Sequence, residues 1–243
     1  MKPFLIIRTG GTFPDVASKL GDFENWVARA MGLEHGQWIT VNVQGGEALP
    51  SPGEFAGCAV TGSHDMVTDE ALPWIETTAA WLRDAVRDGL PVFGICFGHQ
   101  LLARALGGEA GFHPSGPEIG TMDIRCSPEA TDDPLFTDLP GTFPGHTTHY
   151  QCALRLPPGS TLLAASDHEP HQAFRTGKHA WGVQFHPEFG AEAMRTYITR
   201  QADAIEERGG QTTTLLSEVK ETPESTSLMR RFVQYCLGEL AQA

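Results

Sequence analysis

Residues 91–106 constrain the fold of this 243-residue chain more than any other stretch. Pro91-Val92-Phe93-Gly94-Ile95-Cys96 is an unbroken apolar run. Such a run belongs to a strand covered on both faces, as in a parallel sheet, rather than to one with a solvated side. It leads directly into Phe97–Leu106, where Leu101, Leu102, Ala105 and Leu106 are apolar and Gly107-Gly108 supplies a stop. The same alternation fills the chain upstream. Phe4–Ile7 reads as a strand ending in Thr9-Gly10-Gly11, Glu24–Met31 as a helix and Trp38–Val43 as a strand. Cys58–Val60 runs into Thr61-Gly62-Ser63, and Pro73–Asp88 is a helix with Ile75, Leu82 and Val86 at helical spacing. Strands alternating with helices imply a parallel sheet with helices on both faces.

Downstream the pattern changes. Glu109–Pro158 is rich in Gly, Pro and Thr and reads as short antiparallel strands and loops. Thr161–Ala165 and His171–Arg175 suggest a strand pair, and Ala180–His186 a strand of alternating faces. Ala191–Glu207 reads as one helix, residues 209–227 as a loop or short helix, and Leu228–Leu240 as a final helix. There is no internal repeat and no linker, so a single domain over 1–243 is expected.

Charge and composition narrow the function. Seventeen basic against thirty acidic side chains give a net charge of −13, which weighs against nucleic acid or an anionic membrane as the main partner. A chain of this length buries roughly 70% of its unfolded surface and needs no disulfide or metal to fold. The five cysteines are odd in number and lack C-x-x-C spacing, as expected of a reduced, cytoplasmic protein. The opening apolar run, Phe4–Ile7, is shorter than the roughly 7–15 residues of a signal peptide. No stretch nears the roughly 20 apolar residues of a membrane helix.

Gly94-Ile95-Cys96-Phe97-Gly98 has the form glycine-x-nucleophile-x-glycine between strand and helix, the setting of a nucleophile elbow. A tight turn there lifts the sulfur out of the sheet. The helix N-terminus favours a thiolate, and the Phe97 amide is free to meet an oxyanion. Cys96 also reads as a small core residue beside packing glycines. In Trp181-Gly182-Val183-Gln184-Phe185-His186-Pro187-Glu188, the residues Trp181, Val183 and Phe185 share one face. Pro187 ends the strand and leaves His186 at its tip, with Glu188 near enough to orient the imidazole. Taken singly, His186 reads as a hydrogen-bonded core histidine and Glu188 as a solvated loop residue.

Together, Phe93–Leu102 and Gly182–Glu188 resemble the two signature blocks of the triad-type (class I) glutamine amidotransferases, with the glutaminase domain of GMP synthase close in pattern. The resemblance covers about residues 1–200 and leaves a helical extension over about 201–243. It implies a flavodoxin-like three-layer α/β sandwich with a mostly parallel central sheet and a small antiparallel insertion. It also implies hydrolysis of the glutamine side-chain amide without a cofactor. By motif match Cys96 is the nucleophile, His186 the general base and acid, and Glu188 the third triad member. Gly62 and Phe97 match the oxyanion donors, Gln100 a residue contacting glutamine, and His149 a position bordering the pocket.

Two departures stand out. Thr148-His149-Tyr150-Gln151 replaces the Ser-His-x-Asp of many members, which leaves the ligand open. The roughly 40 residues past the resemblance are too few for a synthetase domain, so the expectation is that either a separate synthetase or acceptor subunit takes the ammonia or the chain hydrolyses a γ-glutamyl compound alone. A non-catalytic regulatory subunit is a third reading. The histidines at 146, 149, 168, 171, 179 and 186 match no zinc motif, so no metal is expected. Gly10-Gly11 lacks the spacing of a phosphate loop.

Overall fold

The computed structural model describes residues 2–239. In chain order the elements are β1 (Phe4–Arg8), α1 (Pro14–Leu20), α2 (Phe23–Met31), β2 (Trp38–Asn42), β3 (Cys58–Val60), α3 (Pro73–Arg87), β4 (Val92–Ile95) and α4 (Phe97–Ala105). Then come β5 (Glu109–Phe112), β6 (Glu118–Cys126), β7 (Thr142–His149), β8 (Gln151–Arg155), β9 (Thr161–Ala165), β10 (Ala173–Thr176) and β11 (Ala180–Val183). The chain continues through α5 (Ala191–Arg200), α6 (Ala202–Glu207), α7 (Thr212–Glu218) and α8 (Pro223–Cys236).

A nine-stranded sheet runs β2-β1-β3-β4-β11-β10-β9-β6-β7. From β2 to β11 all pairings are parallel; from β11 to β7 all are antiparallel. The antiparallel part therefore continues the main sheet, and only β5 and β8 form a ladder of their own. Both faces are covered, as the apolar runs require. Phe4 and Ile6 of β1 pack with Val27 of α2 and Phe232 of α8. Leu5 and Ile7 pack on the other side with Leu82 of α3 and Leu101 of α4. The result is the flavodoxin-like α/β sandwich with a mixed, mostly parallel core. Its parallel strands point their C-terminal ends at one edge, where such sheets place their ligands.

The observed elements differ from the sequence reading in several places. The strand expected over Ala180–His186 stops at Val183. Beyond it the Gln184 amide donates to Gln172 O and the His186 amide to His146 O, so the antiparallel side captures the main chain. Trp181, Val183 and Phe185 do share a core, but both faces of β11 are buried. The helix expected over Ala191–Glu207 breaks at Gln201, whose side chain donates to Thr148 Oγ1 at 2.8 Å. The last helix begins earlier than expected, at Pro223, where proline suits the first helical position, and its polar first turn left no apolar period to read; Leu240 lies outside the described residues. Helix α1 was not legible at all, since Val16 is its one buried residue.

Candidate active site

Cys96 follows β4 and opens α4 at φ 50° and ψ −100°, the one non-glycine positive φ among the described residues. Holding an L-residue there costs of order 1–3 kcal/mol, so the surroundings must impose it. They do so through close packing. A Cβ on Gly94 would lie 2.5 Å from Gly98 O, and one on Gly98 would lie 2.5 Å from Val60 O. The two glycines let α4 press onto β3 and β4. The Cys96 amide donates to Val183 O at 2.8 Å, and its carbonyl accepts from Gln100 N at 3.1 Å. The sulfur is thereby raised at the sheet edge, 4.0 Å from Thr148 O.

His186 and Glu188 meet at that edge. His186 Nδ1 donates to Glu188 Oε1 at 2.8 Å, which fixes Nδ1 as the hydrogen-bearing atom. Its Nε2 is buried and makes no hydrogen bond. The ring stacks on Phe189 with centroids 4.2 Å apart. Burial pushes the imidazole pKa down, but the Glu188 carboxylate and then the Cys96 sulfur outweigh it and hold the pKa up at about 10. His99, equally buried but without a carboxylate partner, is pushed by burial down to about 3.

Gly62 lies against both groups. A Cβ there would stand 3.1 Å from His186 Cε1 and 3.8 Å from Cys96 Cβ. Its loop is anchored by two threonines at the tips of β1 and β3. Thr9 Oγ1 lies 2.9 Å from Thr61 O and 3.0 Å from Gly62 O, and Thr9 N donates to Thr61 Oγ1 at 3.1 Å. Among the described residues neither the Gly62 nor the Phe97 amide N–H has an intramolecular acceptor. Phe97 sits at the first position of α4, where an amide is left free by helix geometry.

These groups border a cavity of about 250 Å³. Gln100 is buried in its wall rather than on a helix surface. Its Nε2 donates to Gln151 O at 2.6 Å and to Gln184 Oε1 at 3.1 Å. His149 also lines the cavity, but its nitrogens are engaged elsewhere: Nδ1 faces Gln151 O at 3.0 Å and Nε2 faces Glu118 Oε2 at 3.1 Å. Glu118 accepts further from Ser166 Oγ and Gln172 Nε2, both at 2.6 Å. Burial raises the Glu118 pKa, but the hydrogen bond and charge of His149 and the Ser166 bond hold it below the usual range. The departing block Thr148–Gln151 thus forms part of the cavity wall.

Several wall residues were invisible to sequence reasoning: Phe13, Phe23, His64, Tyr197 and Gln201. Tyr197 Oη lies 3.0 Å from both His64 Nε2 and Thr12 Oγ1, contacts across 133 and 185 residues of chain that no local spacing encodes. Gly10 and Gly11 serve packing instead: a Cβ on Gly10 would lie 2.6 Å from Ser63 Oγ.

Among the described residues one group of three side chains is gathered closely enough for a metal: His113, Cys152 and Glu169, with ligand atoms within 4.8 Å of one another. The fit fails on the histidine. His113 Nδ1 accepts the Ser115 amide at 3.1 Å, so Nε2 carries the ring hydrogen and has no lone pair to offer. Burial and then Glu169 push the Cys152 thiol up, which keeps it protonated. No described helix is long and apolar enough to cross a membrane.

The chain is 33% identical over 163 residues to a GMP synthase [glutamine-hydrolyzing] of Aeropyrum pernix, covering 63% of this chain and 28% of that protein. It is 29% identical over 191 residues to gamma-glutamyl peptidase 5 of Arabidopsis thaliana, covering 76% of this chain and 75% of the other. A glutamine amidotransferase from Thermotoga maritima superimposes with a TM-score of 0.76 at 21% identity, covering 98% of this chain and 99% of that one, which shows the shared fold. The model of the family "Glutamine amidotransferase class-I" matches residues 54–203, more than half of the sequence and both motif blocks, and the chain belongs to that family.

Proposed function

We propose that the protein is a cysteine-dependent amidohydrolase that cleaves the side-chain amide of glutamine through a γ-glutamyl thioester. The observation that carries this reading is the strained Cys96 at the cavity wall beside the His186–Glu188 pair. In the proposed reaction the Cys96 thiolate attacks the γ-carbonyl carbon and a C–S bond forms. The oxyanion is met by the Gly62 and Phe97 amides, which have no other acceptor. His186, kept as imidazolium by Glu188, gives its Nε2 proton to the departing nitrogen as the C–N bond breaks. The same Nε2 then takes a proton from water, the water oxygen attacks the thioester, and glutamate leaves as the C–S bond breaks.

Gln100 and the Thr148–Gln151 block are proposed to hold the glutamyl portion, His149 through its ring rather than its nitrogens. Residues 1–243 are read as one domain, because α8 supplies Leu228, Met229 and Phe232 to the main core. A second reading, a stand-alone hydrolase of γ-glutamyl peptides or conjugates, is favoured by coverage. The match to the γ-glutamyl peptidase spans three quarters of that protein, whereas the GMP synthase match spans 28% of its protein. Under the first reading a separate synthetase or acceptor subunit receives the ammonia. Under the second none is needed.

The test is a glutamine-directed diazoketone followed by peptide mass spectrometry, together with product assays on glutamine and γ-glutamyl dipeptides. One label per chain on Cys96 is expected, with turnover lost in Cys96→Ala. Turnover that survives Cys96→Ala would overturn the mechanism.

A further inference from the structure

The cavity wall is not uniform. Gln100, His149 and Gln151 are tied to one another by hydrogen bonds, with Gln100 on the Cys96 helix, whereas Phe13, Phe23, His64 and Tyr197 form an aromatic set in the same lining. The second set is joined to His186 by continuous ring contacts: His186 on Phe189 at 4.2 Å, Phe189 on Tyr197 at 5.0 Å, then Tyr197 on Phe13 at 5.2 Å and on His64 at 5.7 Å. In the proposed reaction His186 protonates the departing nitrogen, so the aromatic set linked to His186 is the part of the lining read here as meeting what that nitrogen carries.

The side chains of this wall are aromatic and are held in place by polar and cation–ring contacts. Tyr197 Oη is fixed between Thr12 Oγ1 and His64 Nε2. The Arg200 guanidinium lies over the Phe13 ring, 4.9 Å from its centroid, and is itself paired with Asp15. Burial, then the charge of His186, hold the His64 imidazole below its ordinary pKa and so neutral. No Lys or Arg lines the cavity, and the one carboxylate in its lining, Asp65, already accepts from Gln44 at 2.7 Å. Ammonia has no apolar surface to place against such a wall, whereas an amine bearing a ring does.

We propose that the side of the cavity next to His186 binds an aromatic ring carried by the departing amine, so that γ-glutamyl amides of arylalkylamines are better substrates than glutamine itself. This rests on the reading of Cys96 as a γ-glutamyl-transferring nucleophile. The chemistry is unchanged: the C–N bond breaks, the amine takes the His186 proton, and water later displaces the thiolate.

The test compares kcat/KM of the full chain for glutamine, γ-glutamyl ethylamide, γ-glutamyl butylamide and γ-glutamyl benzylamide; ammonia and benzylamine are close in basicity, so glutamine against the benzylamide is the decisive comparison, and the alkylamides report the effect of apolar bulk without a ring. The benzylamide is expected to exceed glutamine and the ethylamide by at least about tenfold, the scale on which apolar pockets discriminate. Phe13→Leu, which keeps bulk but removes the ring, should lower the benzylamide-to-glutamine ratio. Equal or better turnover of glutamine would overturn the proposal while leaving the nucleophile reading intact. An unchanged ratio in Phe13→Leu would also overturn it. Failure of every compound, with no diazoketone label on Cys96, would overturn both. The wild-type series decides the matter even if the variant does not fold.

Discussion

Replacing Glu188 by Gln keeps the shape of the side chain and its ability to accept from His186 Nδ1, but removes the charge. In the native protein the imidazole stands near pKa 10 against an ordinary 6.5, a preference for the charged ring of roughly 5 kcal/mol after burial has been overcome. Glu188 is the largest of the raising contributions. The protein contains its own reference for the outcome: His99 and His146, buried without a carboxylate partner, sit at about 3 and about 4, each lowered first by burial. Glu188→Gln should therefore lower the His186 midpoint, with only the Cys96 sulfur left to raise it, and shrink the imidazolium fraction at pH 7. The proton for the leaving nitrogen is then scarcer, and kcat at pH 7 should fall, by up to about 10²–10⁴. Because the folded pKa is raised, the interaction stabilises the fold fully below about pH 6.5 and is lost as pH rises through about 10. The Tm gap between wild type and variant should therefore shrink from pH 6.5 to pH 10. Titration of ¹⁵N-labelled histidines by NMR reads the midpoint directly. A His186 midpoint that does not fall in Glu188→Gln would refute the assignment of Glu188 as the dominant charge.

Two further substitutions probe the elbow. Cys96→Gly should be more stable to urea than Cys96→Ala by about 1 kcal/mol, because only glycine adopts the positive φ of position 96 without strain. Equal midpoints would show that the turn is unstrained. Gly98→Ala should lower stability by about 1–3 kcal/mol, since the added Cβ lands 2.5 Å from Val60 O and forces α4 off the sheet. A calorimetric Tm equal to wild type would contradict that packing.

How much of this was legible in one dimension differs from element to element. The Pro91–Cys96 run and the Pro73 helix announced themselves because a buried strand and a long amphipathic helix impose composition over many consecutive residues. Helix α1, with one buried side chain, imposed none. The break at Gln201 and the early end of β11 arise from bonds to Thr148, Gln172 and His146, distant partners that leave no periodicity behind.

The candidate site divides in the same way. Sequence alone determined the groups whose chemistry is local: the glycines flanking Cys96 are dictated by a turn only a few residues long, and His186 and Glu188 lie two positions apart. Tertiary structure alone decided the rest. It brought Thr9 to the Gly62 loop, closed Tyr197 onto His64 and Thr12, and turned the His149 nitrogens toward Glu118 and Gln151. The physical reason is range. Backbone strain and helix geometry act over neighbouring residues and write themselves into adjacent letters, whereas cavity walls are assembled from strand ends that only sheet pairing and side-chain packing bring together.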